Sequence, residues 1–220
     1  MFRKNCLICD SKNIVDIIDL GMHPFADTFI SKSKIHLSEK VYPLIVQLCE
    51  NCGNIQLSCE TIPEDRYQDN EYSYTSTNSN YSINYWSEYS KEVLKLFSRT
   101  SKLKILEIGS NDGFLLSLLK KHGHIVLGID ASAAMNELAS KRGVNTKLGI
   151  FDEKFAKDIL SESGKFDLII ANNVFNHADN PQSFFKAVRH LLEDQGIFIF
   201  ESPYWLNSIK SGKFDQIYHE

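Results

Sequence analysis

Residues 104–201 alternate between short apolar segments and helical patterns, and this alternation restricts the possible folds more than any other feature of the chain. The apolar segments, typical of buried strands, are residues 104–108, 125–130, 145–148, 166–171 and 196–201. Helical patterns separate them at residues 114–121, 132–142, 152–160 and 181–192, and a further helical pattern precedes the first strand at residues 85–97. Ser132 is predicted to be the N-cap of the helix at 132–142. Parallel strands need crossover helices, and a sheet covered on both faces has continuously apolar strands. We therefore predict an α/β fold with a doubly wound, mostly parallel, Rossmann-like sheet whose five strands follow the order 3-2-1-4-5.

Two C-x2-C pairs, Cys6 with Cys9 and Cys49 with Cys52, lie in the first quarter of the chain. Two intervening residues allow a turn that directs both thiolates at one tetrahedral ion, and Gly53 suits the positive φ that closes such a turn. Four cysteine ligands leave no open position, which indicates a structural zinc ion in a segment with little core of its own. Iron in the same site and four buried free thiols are the alternatives. Cys59 is expected to be an unliganded core thiol.

The first strand of the alternating region runs into a glycine-containing turn, Glu107-Ile108-Gly109-Ser110-Asn111-Asp112-Gly113. This turn matches neither the G-x-G-x-x-G dinucleotide pattern nor the P-loop. Its acidic residues would repel a diphosphate, whereas S-adenosylmethionine (SAM) carries an ammonium and a sulfonium, and its carboxylate suits the N-terminus of the next helix. Asp130 ends the second strand, where an acidic side chain binds ribose hydroxyls in this architecture. We therefore favour SAM over NAD; a tight turn without a ligand is the remaining alternative.

The candidate cofactor-binding residues are Glu107, Gly109, Asn111, Asp112, Gly113, Asp130, Phe151 and Asn172. Phe151 follows the third strand and suits either an adenine contact or the core. Asn172, Asn173 and His177 follow the fourth strand, at the edge where open α/β sheets bind their ligands. Histidine transfers protons near neutral pH, so His177 is a candidate catalytic group, the alternative being a residue that caps or packs a helix start.

The overall charge narrows the class of partner. A net charge of −4 and a pI of about 6.0 provide no basic field for a nucleic-acid backbone, so we expect no nucleic-acid partner. No apolar stretch reaches membrane-spanning length, and the N-terminus lacks the apolar run of a signal peptide. We therefore expect no membrane association and a cytoplasmic location, where thiols stay reduced and bind metals.

The combined motifs resemble those of one family, the SAM-dependent sugar C-methyltransferases that act on C-3 of nucleotide-activated 4-keto-deoxysugars. Besides the cysteine pairs and the glycine turn, the matching segments are Leu20-Gly21-Met22-His23-Pro24-Phe25-Ala26-Asp27, Tyr42-Pro43-Leu44, Tyr72-Ser73-Tyr74-Thr75-Ser76, Asn173-Val174-Phe175-Asn176-His177, Glu201-Ser202-Pro203-Tyr204 and Phe214-Asp215-Gln216-Ile217-Tyr218-His219-Glu220. The glycine turn is common to many methyltransferases, whereas the cysteine pattern together with the Tyr-His-Glu stretch is much more specific.

The resemblance implies a zinc-binding domain at 1–67, a tyrosine-rich linker with substrate contacts at 68–84, an incomplete SAM-binding domain at 85–202, and the start of a further domain at 203–220. It implies a nucleotide-activated keto-sugar as substrate, and we expect a monomer or weak homo-oligomer. The catalytic residues that it implies are Tyr72, Tyr74, Asn173, His177, Tyr218 and Glu220.

The family places a further histidine, its general base, directly after the Tyr-His-Glu stretch, and this chain stops at Glu220. The family also tends to have a histidine where this chain reads Tyr85-Trp86. We therefore expect a truncated chain that binds zinc and SAM and turns over poorly. A SAM-dependent O- or N-methyltransferase, a zinc-ribbon nucleic-acid methyltransferase and a non-catalytic zinc- or SAM-binding fragment are the other hypotheses.

Overall fold

A computed structural model of the chain describes residues 2–26, 30–33, 35–61, 74–97, 102–213 and 217–218. The described residues form two compact units, each drawn from separate stretches of the chain. The first unit takes its residues from 1–73, 176–182 and 202–220, and the second takes them from 74–175 and 183–201. The predicted domain boundaries at residues 67, 84 and 202 stay predictions.

The helices and strands are numbered in chain order. The strands are β1 (Ile14–His23), β2 (Tyr42–Cys49), β3 (Ile55–Leu57), β4 (Lys104–Ile108), β5 (Ile125–Asp130), β6 (Thr146–Leu148), β7 (Phe166–Asn172) and β8 (Leu192–Glu201). The helices are α1 (Asn80–Leu94), α2 (Phe114–Lys121), α3 (Ala133–Lys141), α4 (Glu153–Ser163), α5 (Pro181–Leu191) and α6 (Trp205–Lys210), and a 3-10 turn covers Phe175–His177. No helix among the described residues has the length and apolar character that crossing a bilayer requires.

The first unit contains an antiparallel sheet in the order β1-β2-β3. Ile14 pairs with Cys49, so the start of β1 lies beside the end of β2. The first cysteine pair directly precedes β1 and the second begins at the end of β2, so this register brings the two pairs together. Leu44, Val46 and Ile217 form the buried core of this unit.

The second unit contains a parallel five-stranded sheet in the order β6-β5-β4-β7-β8, which confirms the predicted 3-2-1-4-5 order. The central strands β4 and β7 carry the core. Their fully buried side chains include Ile105, Leu106, Leu168, Ile169 and Ile170, and α2 adds Leu116 and Leu119. Burial on both faces explains why these strands are continuously apolar.

Two elements begin earlier than the sequence predicts. The strand β8 starts at Leu192 rather than at residue 196, because Leu192 pairs with Phe166 before an irregularity in the ladder. The polar run from Glu193 to Gln195 hides this extension in the sequence. The helix α1 starts at Asn80 rather than at residue 85, because the Ser79 hydroxyl accepts a hydrogen bond from the Ser82 amide at 3.1 Å.

Gly109 and Gly143 provide a matched test of the glycine turn, because both have a positive φ, +70° and +74°. A Cβ atom added at Gly109 would lie 2.3 Å from Val174 Cγ2, whereas one added at Gly143 would meet nothing within 4 Å. We expect Gly143→Ala to lower the free energy of unfolding by about 1–2 kcal/mol through backbone strain. We expect Gly109→Ala to cost about 1–3 kcal/mol more through overpacking. Urea unfolding of both variants measures the difference, and equal losses would contradict this account of the turn.

Candidate active site and metal centre

The sulfur atoms of Cys6, Cys9, Cys49 and Cys52 all lie within 4.8 Å of one another. Cys6 Sγ is 3.6 Å from Cys52 Sγ, and Cys9 Sγ is 3.6 Å from Cys49 Sγ. Tetrahedral zinc with Zn–S bonds of about 2.3 Å requires sulfur separations of roughly 3.8 Å, so the four thiols fit this ion. The separations are also far longer than a disulfide bond of about 2.05 Å.

The turns that carry the cysteines are held by backbone hydrogen bonds. The Asp10 amide donates to the Cys6 carbonyl at 3.0 Å, and the Gly53 amide donates to the Cys49 carbonyl at 2.8 Å. Gly53 has the positive φ that its sequence position predicted, +76°. Cys59 lies outside the cluster and its thiol donates to the Pro43 carbonyl at 3.3 Å, consistent with the unliganded core thiol expected.

The first unit, which contains the four cysteines, also includes the loop of residues 176–182, which connects β7 to α5. Arg3 Nη2 lies 2.6 Å from Asp179 Oδ1, and the Arg3 side chain is only 9% exposed. The Gln182 side-chain amide donates to the carbonyl of Ile8, a residue between Cys6 and Cys9, at 3.0 Å. This loop carries His177, so the unit that contains the cysteines also fixes the backbone on both sides of Asp179.

In the second unit, protein atoms fill the space that the turn glycines leave open. Val174 occupies the side of Gly109 where a Cβ would stand, and a Cβ at Gly113 would lie 2.8 Å from Ala139 Cβ. Gly109 and Gly113 therefore permit close packing and positive φ values. The sequence-based expectation that they admit a ligand stays a prediction.

Asp112, a predicted cofactor ligand, is almost fully buried and already has several partners. Its Oδ2 atom accepts hydrogen bonds from Arg142 Nη2 at 3.0 Å and from the Thr77 hydroxyl at 2.6 Å. Its Oδ1 atom accepts from the Phe114 amide at 3.2 Å, at the start of α2. The carboxylate of Asp112 thus has a counter-charge within the protein. It also accepts a hydrogen bond from an amide at the start of α2, where the sequence predicts that the cofactor carboxylate binds.

Asp130 holds the turn through backbone amides. Its two oxygen atoms accept hydrogen bonds from the amides of Asn111, at 2.7 Å, and Ser132, at 2.9 Å. Burial nevertheless raises the pKa of Asp130, and the two amide hydrogen bonds oppose that shift.

Glu107 is the carboxylate of this region with an unpartnered oxygen. Its side chain is 6% exposed, and Oε2 is buried without a hydrogen-bond partner. Burial raises the pKa of Glu107 well above its ordinary value, and the negative charges of Asp130 and Asp112 raise it further. A buried carboxylate without a cation or donor is costly, so this site suits a cationic ligand.

Two more buried polar atoms near the strand ends lack hydrogen-bond partners, Ser110 Oγ and Asn172 Nδ2. Buried polar atoms are nearly always satisfied in folded proteins, so each of these atoms has hydrogen-bonding capacity left for a ligand.

Polar side chains also meet where β7 and β8 end, where Asn172 pairs with Glu201. Asn173, with φ +55°, donates its side-chain amide to Glu201 Oε1 at 3.0 Å. The Tyr85 hydroxyl donates to Glu201 Oε2, and the Tyr89 hydroxyl donates to Asn172 Oδ1 at 3.0 Å. Burial raises the pKa of Tyr89 to about 12, and the negative charges of Glu107 and Glu201 act in the same direction.

The other predicted site residues divide between the units. Tyr74, in the second unit, is 42% exposed, and its pKa is raised by burial and by the charges of Asp112 and Glu201. Phe151 packs edge-on against Phe184 with ring centroids 5.1 Å apart. His177 and Tyr218 are half-buried in the first unit, where the Asn176 side-chain amide lies 3.3 Å from His177 Nε2. Tyr72 and Glu220 lie outside the described residues.

The sequence did not single out Thr77, Tyr85, Tyr89, Arg142 or Glu201 as site residues. Glu201 ends the fifth strand, so the rule that ligands bind at the carboxyl ends of parallel strands identifies it. The others carry no local signal, because their partners lie 30 to 116 residues away in the chain.

The four-cysteine cluster predicts one tightly bound zinc ion per chain. Cys49→Ser is expected to lose the ion and to unfold the first unit, because metal binding contributes its folding free energy. Cys59→Ser is the matched control and should retain the ion, since Cys59 has no place in the cluster. A chromogenic chelator after denaturation counts the zinc, and equal zinc contents in the two variants would contradict the assignment.

Removing the Glu107 charge is expected to stabilise the chain and to weaken cofactor binding. Because its folded-state pKa is raised, ionising Glu107 costs stability as the pH rises from the ordinary carboxyl range through that raised value. Glu107→Gln should therefore stabilise the chain most at mildly alkaline pH and least at acidic pH. It should weaken binding of S-adenosylhomocysteine (SAH), the demethylated cofactor, by about tenfold, because it removes a hydrogen bond to a charged group.

The control for this substitution is Glu137→Gln. Glu137 lies on the surface of α3, where a hydrogen bond from Lys141 lowers its pKa. That variant should bind SAH like the wild type and show no gain at alkaline pH. Thermal unfolding across pH and calorimetric SAH titration check both variants. A Glu107→Gln chain that is destabilised at alkaline pH, or that binds SAH normally, would contradict the role given to Glu107.

Two family models match the chain. A model described as "Methyltransferase domain" matches residues 81–218, more than half of the chain. A model described as "Putative zinc binding domain" matches residues 6–67, which include all four clustered cysteines.

Curated relatives point to the same class of enzyme. C-methyltransferase NovU from Streptomyces niveus is 25% identical over 215 residues, which are 98% of this chain and 51% of that protein. A ubiquinone biosynthesis O-methyltransferase from Pasteurella multocida (strain Pm70) is 30% identical over 110 residues, 45% of this chain and 46% of that protein. The chain thus spans about half the length of these relatives.

Solved structures support the fold. The PH0226 protein from Pyrococcus horikoshii OT3 has a TM-score of 0.50 and 25% identity, covering 64% of this chain and 62% of that one. A SAM-dependent methyltransferase from Archaeoglobus fulgidus has a TM-score of 0.51 and 15% identity, covering 63% and 62%. With the parallel sheet, the cysteine cluster and the family matches, these likenesses show that the chain belongs to the methyltransferase domain family, with the SAM-binding fold and a four-cysteine zinc-binding module.

Proposed function

We propose that this protein is a SAM-dependent C-methyltransferase that acts on C-3 of a nucleoside-diphosphate 4-keto-deoxysugar. The observation that carries the proposal is the extent of the similarity to C-methyltransferase NovU, which includes 98% of this chain and so spans both the cysteine module and the methyltransferase sheet. The O-methyltransferase relative matches 45% of the chain, as expected from a shared sheet alone. The motifs that resemble the sugar C-methyltransferases add the substrate class.

The donor side of the proposed site is provided by β4, β5 and β7. Glu107 would hold the ammonium of SAM, Asp130 the ribose hydroxyls, and Asn172 would donate its unpartnered amide to a cofactor acceptor atom. Gly109, Asn111, Asp112 and Gly113 shape the turn, and Phe151 is proposed to contact the adenine. When bound, SAM supplies a methyl group on a sulfonium, whose transfer requires chiefly a well-aligned nucleophile.

The acceptor side must produce that nucleophile. A C-3 hydrogen becomes acidic because it lies α to the C-4 carbonyl, and a base removes it as a proton, leaving its electron pair in an enolate. His177 and Tyr218 are proposed to donate hydrogen bonds to the enolate oxygen, with Tyr72, Tyr74, Asn173 and Glu220 positioning the sugar. The C-3 carbon would take the methyl group as the sulfur–methyl bond breaks, which would restore the C-4 carbonyl and remove the sulfonium charge from the cofactor.

Glu201 supports this arrangement by orienting two of its neighbours. It accepts hydrogen bonds from both Asn173 and Tyr85, which fixes the direction of the Asn173 side chain and leaves that residue's amide oxygen for the substrate. We propose a nucleotide-activated keto-sugar as the partner, bound by a monomer or a weak homo-oligomer.

Transfer to carbon and transfer to oxygen are distinguishable. We expect incubation with methyl-labelled SAM and a nucleoside-diphosphate 4-keto-deoxysugar to give a product whose labelled methyl is bonded to carbon in NMR spectra. In deuterated water without SAM, the C-3 hydrogen should exchange for deuterium. His177→Ala should lower the rate of methyl transfer by about 10²–10⁴-fold, because a proton-transfer or donor group is lost, while SAH binding stays unchanged.

The matched control is His190→Ala, since His190 is an exposed histidine in the last turn of α5. That variant should behave like the wild type in every assay. Labelled methyl on an oxygen or nitrogen atom, without exchange at C-3, would favour the alternative O- or N-methyltransferase. Normal SAH binding with neither transfer nor exchange would favour a non-catalytic SAM-binding protein.

A further inference from the structure

Residues 74–79, here called the strap, precede α1 and lie against the glycine turn of the second unit. The Ser76 amide donates to Asn111 Oδ1 at 2.8 Å, and the Ser76 hydroxyl donates to the same atom at 3.3 Å. Asn111 returns a hydrogen bond from Nδ2 to the Tyr74 carbonyl at 3.0 Å. A single asparagine side chain thus binds the strap through three hydrogen bonds.

Asn111 adopts an unfavourable backbone conformation in this role. It has φ +49°, a left-handed geometry that is uncommon for residues other than glycine and is best tolerated by asparagine. Its own amide donates to Asp130 Oδ2, so the residue that binds the strap also contacts the carboxylate proposed to hold the ribose. The strap and the donor site therefore share one residue.

Arg142 completes a second attachment. It follows α3, and its Nη2 atom donates to Asp112 Oδ2 at 3.0 Å and to the Thr77 hydroxyl at 2.9 Å. The Thr77 hydroxyl in turn donates to Asp112 Oδ2. The guanidinium also lies over the Phe114 ring, 5.5 Å from its centroid, which limits its movement.

The burial of Asp112 makes this attachment strong. Its side chain is 1% exposed, so its charge is poorly solvated and depends on Arg142 and Thr77. Hydrogen bonds to a buried charge are stronger than neutral ones, and leaving the charge unpaired carries a large penalty. Releasing the strap would therefore expose or strand the Asp112 carboxylate.

We propose that Arg142 is a positioning residue that locks the strap onto the glycine turn, and thereby holds Tyr74 next to the donor site and retains the bound cofactor. The inference rests on the proposed function in one respect only, that the glycine turn binds SAM. It assigns Arg142 and Thr77 a role through Asp112 and Asn111 rather than a contact with substrate.

The test compares Arg142→Gln, Arg142→Lys and Thr77→Val with the wild-type chain. Arg142→Gln is expected to weaken SAH binding about tenfold, through loss of a charged hydrogen-bond partner, and to speed amide hydrogen exchange in residues 74–79. Arg142→Lys keeps the charge without the planar fork and should recover part of both properties. Thr77→Val preserves the side-chain shape and the Arg142–Asp112 pair, so it should change both readouts in the same direction by a smaller factor.

Lys141→Gln is the matched control, because it removes a positive charge from the same helix end, where Lys141 pairs with Glu137 on the surface. It should leave SAH affinity and strap exchange unchanged. Calorimetry and hydrogen-exchange mass spectrometry provide the two readouts, and a circular dichroism spectrum of each variant checks its fold.

The outcomes separate this proposal from the proposed function. A wild-type chain that does not bind SAH overturns the donor site itself, and the strap proposal with it. Wild-type binding of SAH together with normal affinity and normal exchange in Arg142→Gln overturns the strap proposal alone. If Arg142→Gln fails to fold, Thr77→Val decides: unchanged exchange in residues 74–79 in that variant overturns the lock.

Discussion

The parallel pairing of β4 with both β5 and β7 is the constraint on which the proposed active site depends. Glu107 is level with Gly128 on one side and with Ile170 on the other, so the three strands end together. This register places Glu107, Asp130 and Asn172 along one edge of the sheet, and β8 adds Glu201 to the same edge. A slip of one residue in any strand would turn its side chains to the opposite face. The buried apolar residues of β4 and β7 prevent such a slip, so the core determines the polar edge.

The charges around the glycine turn are not equivalent, although the sequence presents three carboxylates in a similar setting. Asp112 is neutralised by Arg142, and Asp130 is satisfied by two backbone amides. Glu107 alone keeps a buried oxygen without a partner. In the proposed site, the preference for a cationic donor therefore comes from one residue, while the other two carboxylates maintain the shape of the turn. The three carboxylates differ because of their burial and their hydrogen-bond partners, and a sequence pattern reveals neither.

Local patterns predicted much of the fold because local physics determines it. Continuous apolar runs identified the strands and their order, Ser132 was correctly predicted to cap α3, and the spacing of the cysteines predicted their cluster. The early starts of α1 and β8 were missed, because a polar sequence hid a cap and an irregular ladder. The contacts of Arg142 with Asp112 and of Tyr85 with Glu201 were missed for another reason: they join distant segments through tertiary packing. The roles of the individual site residues stay predictions.

The discontinuity of the first unit has a consequence for protein engineering and for evolution by recombination. Residues of the loop 176–182 and of α6 group with the cysteine module, although the chain reaches them only after most of the methyltransferase sheet. A single crossover near residue 70 would therefore not transfer the whole module from one homologue to another. A chimera joined there would combine Arg3 and Ile8 from one parent with Asp179 and Gln182 from the other. Productive hybrids would need to inherit both partners of each pair together.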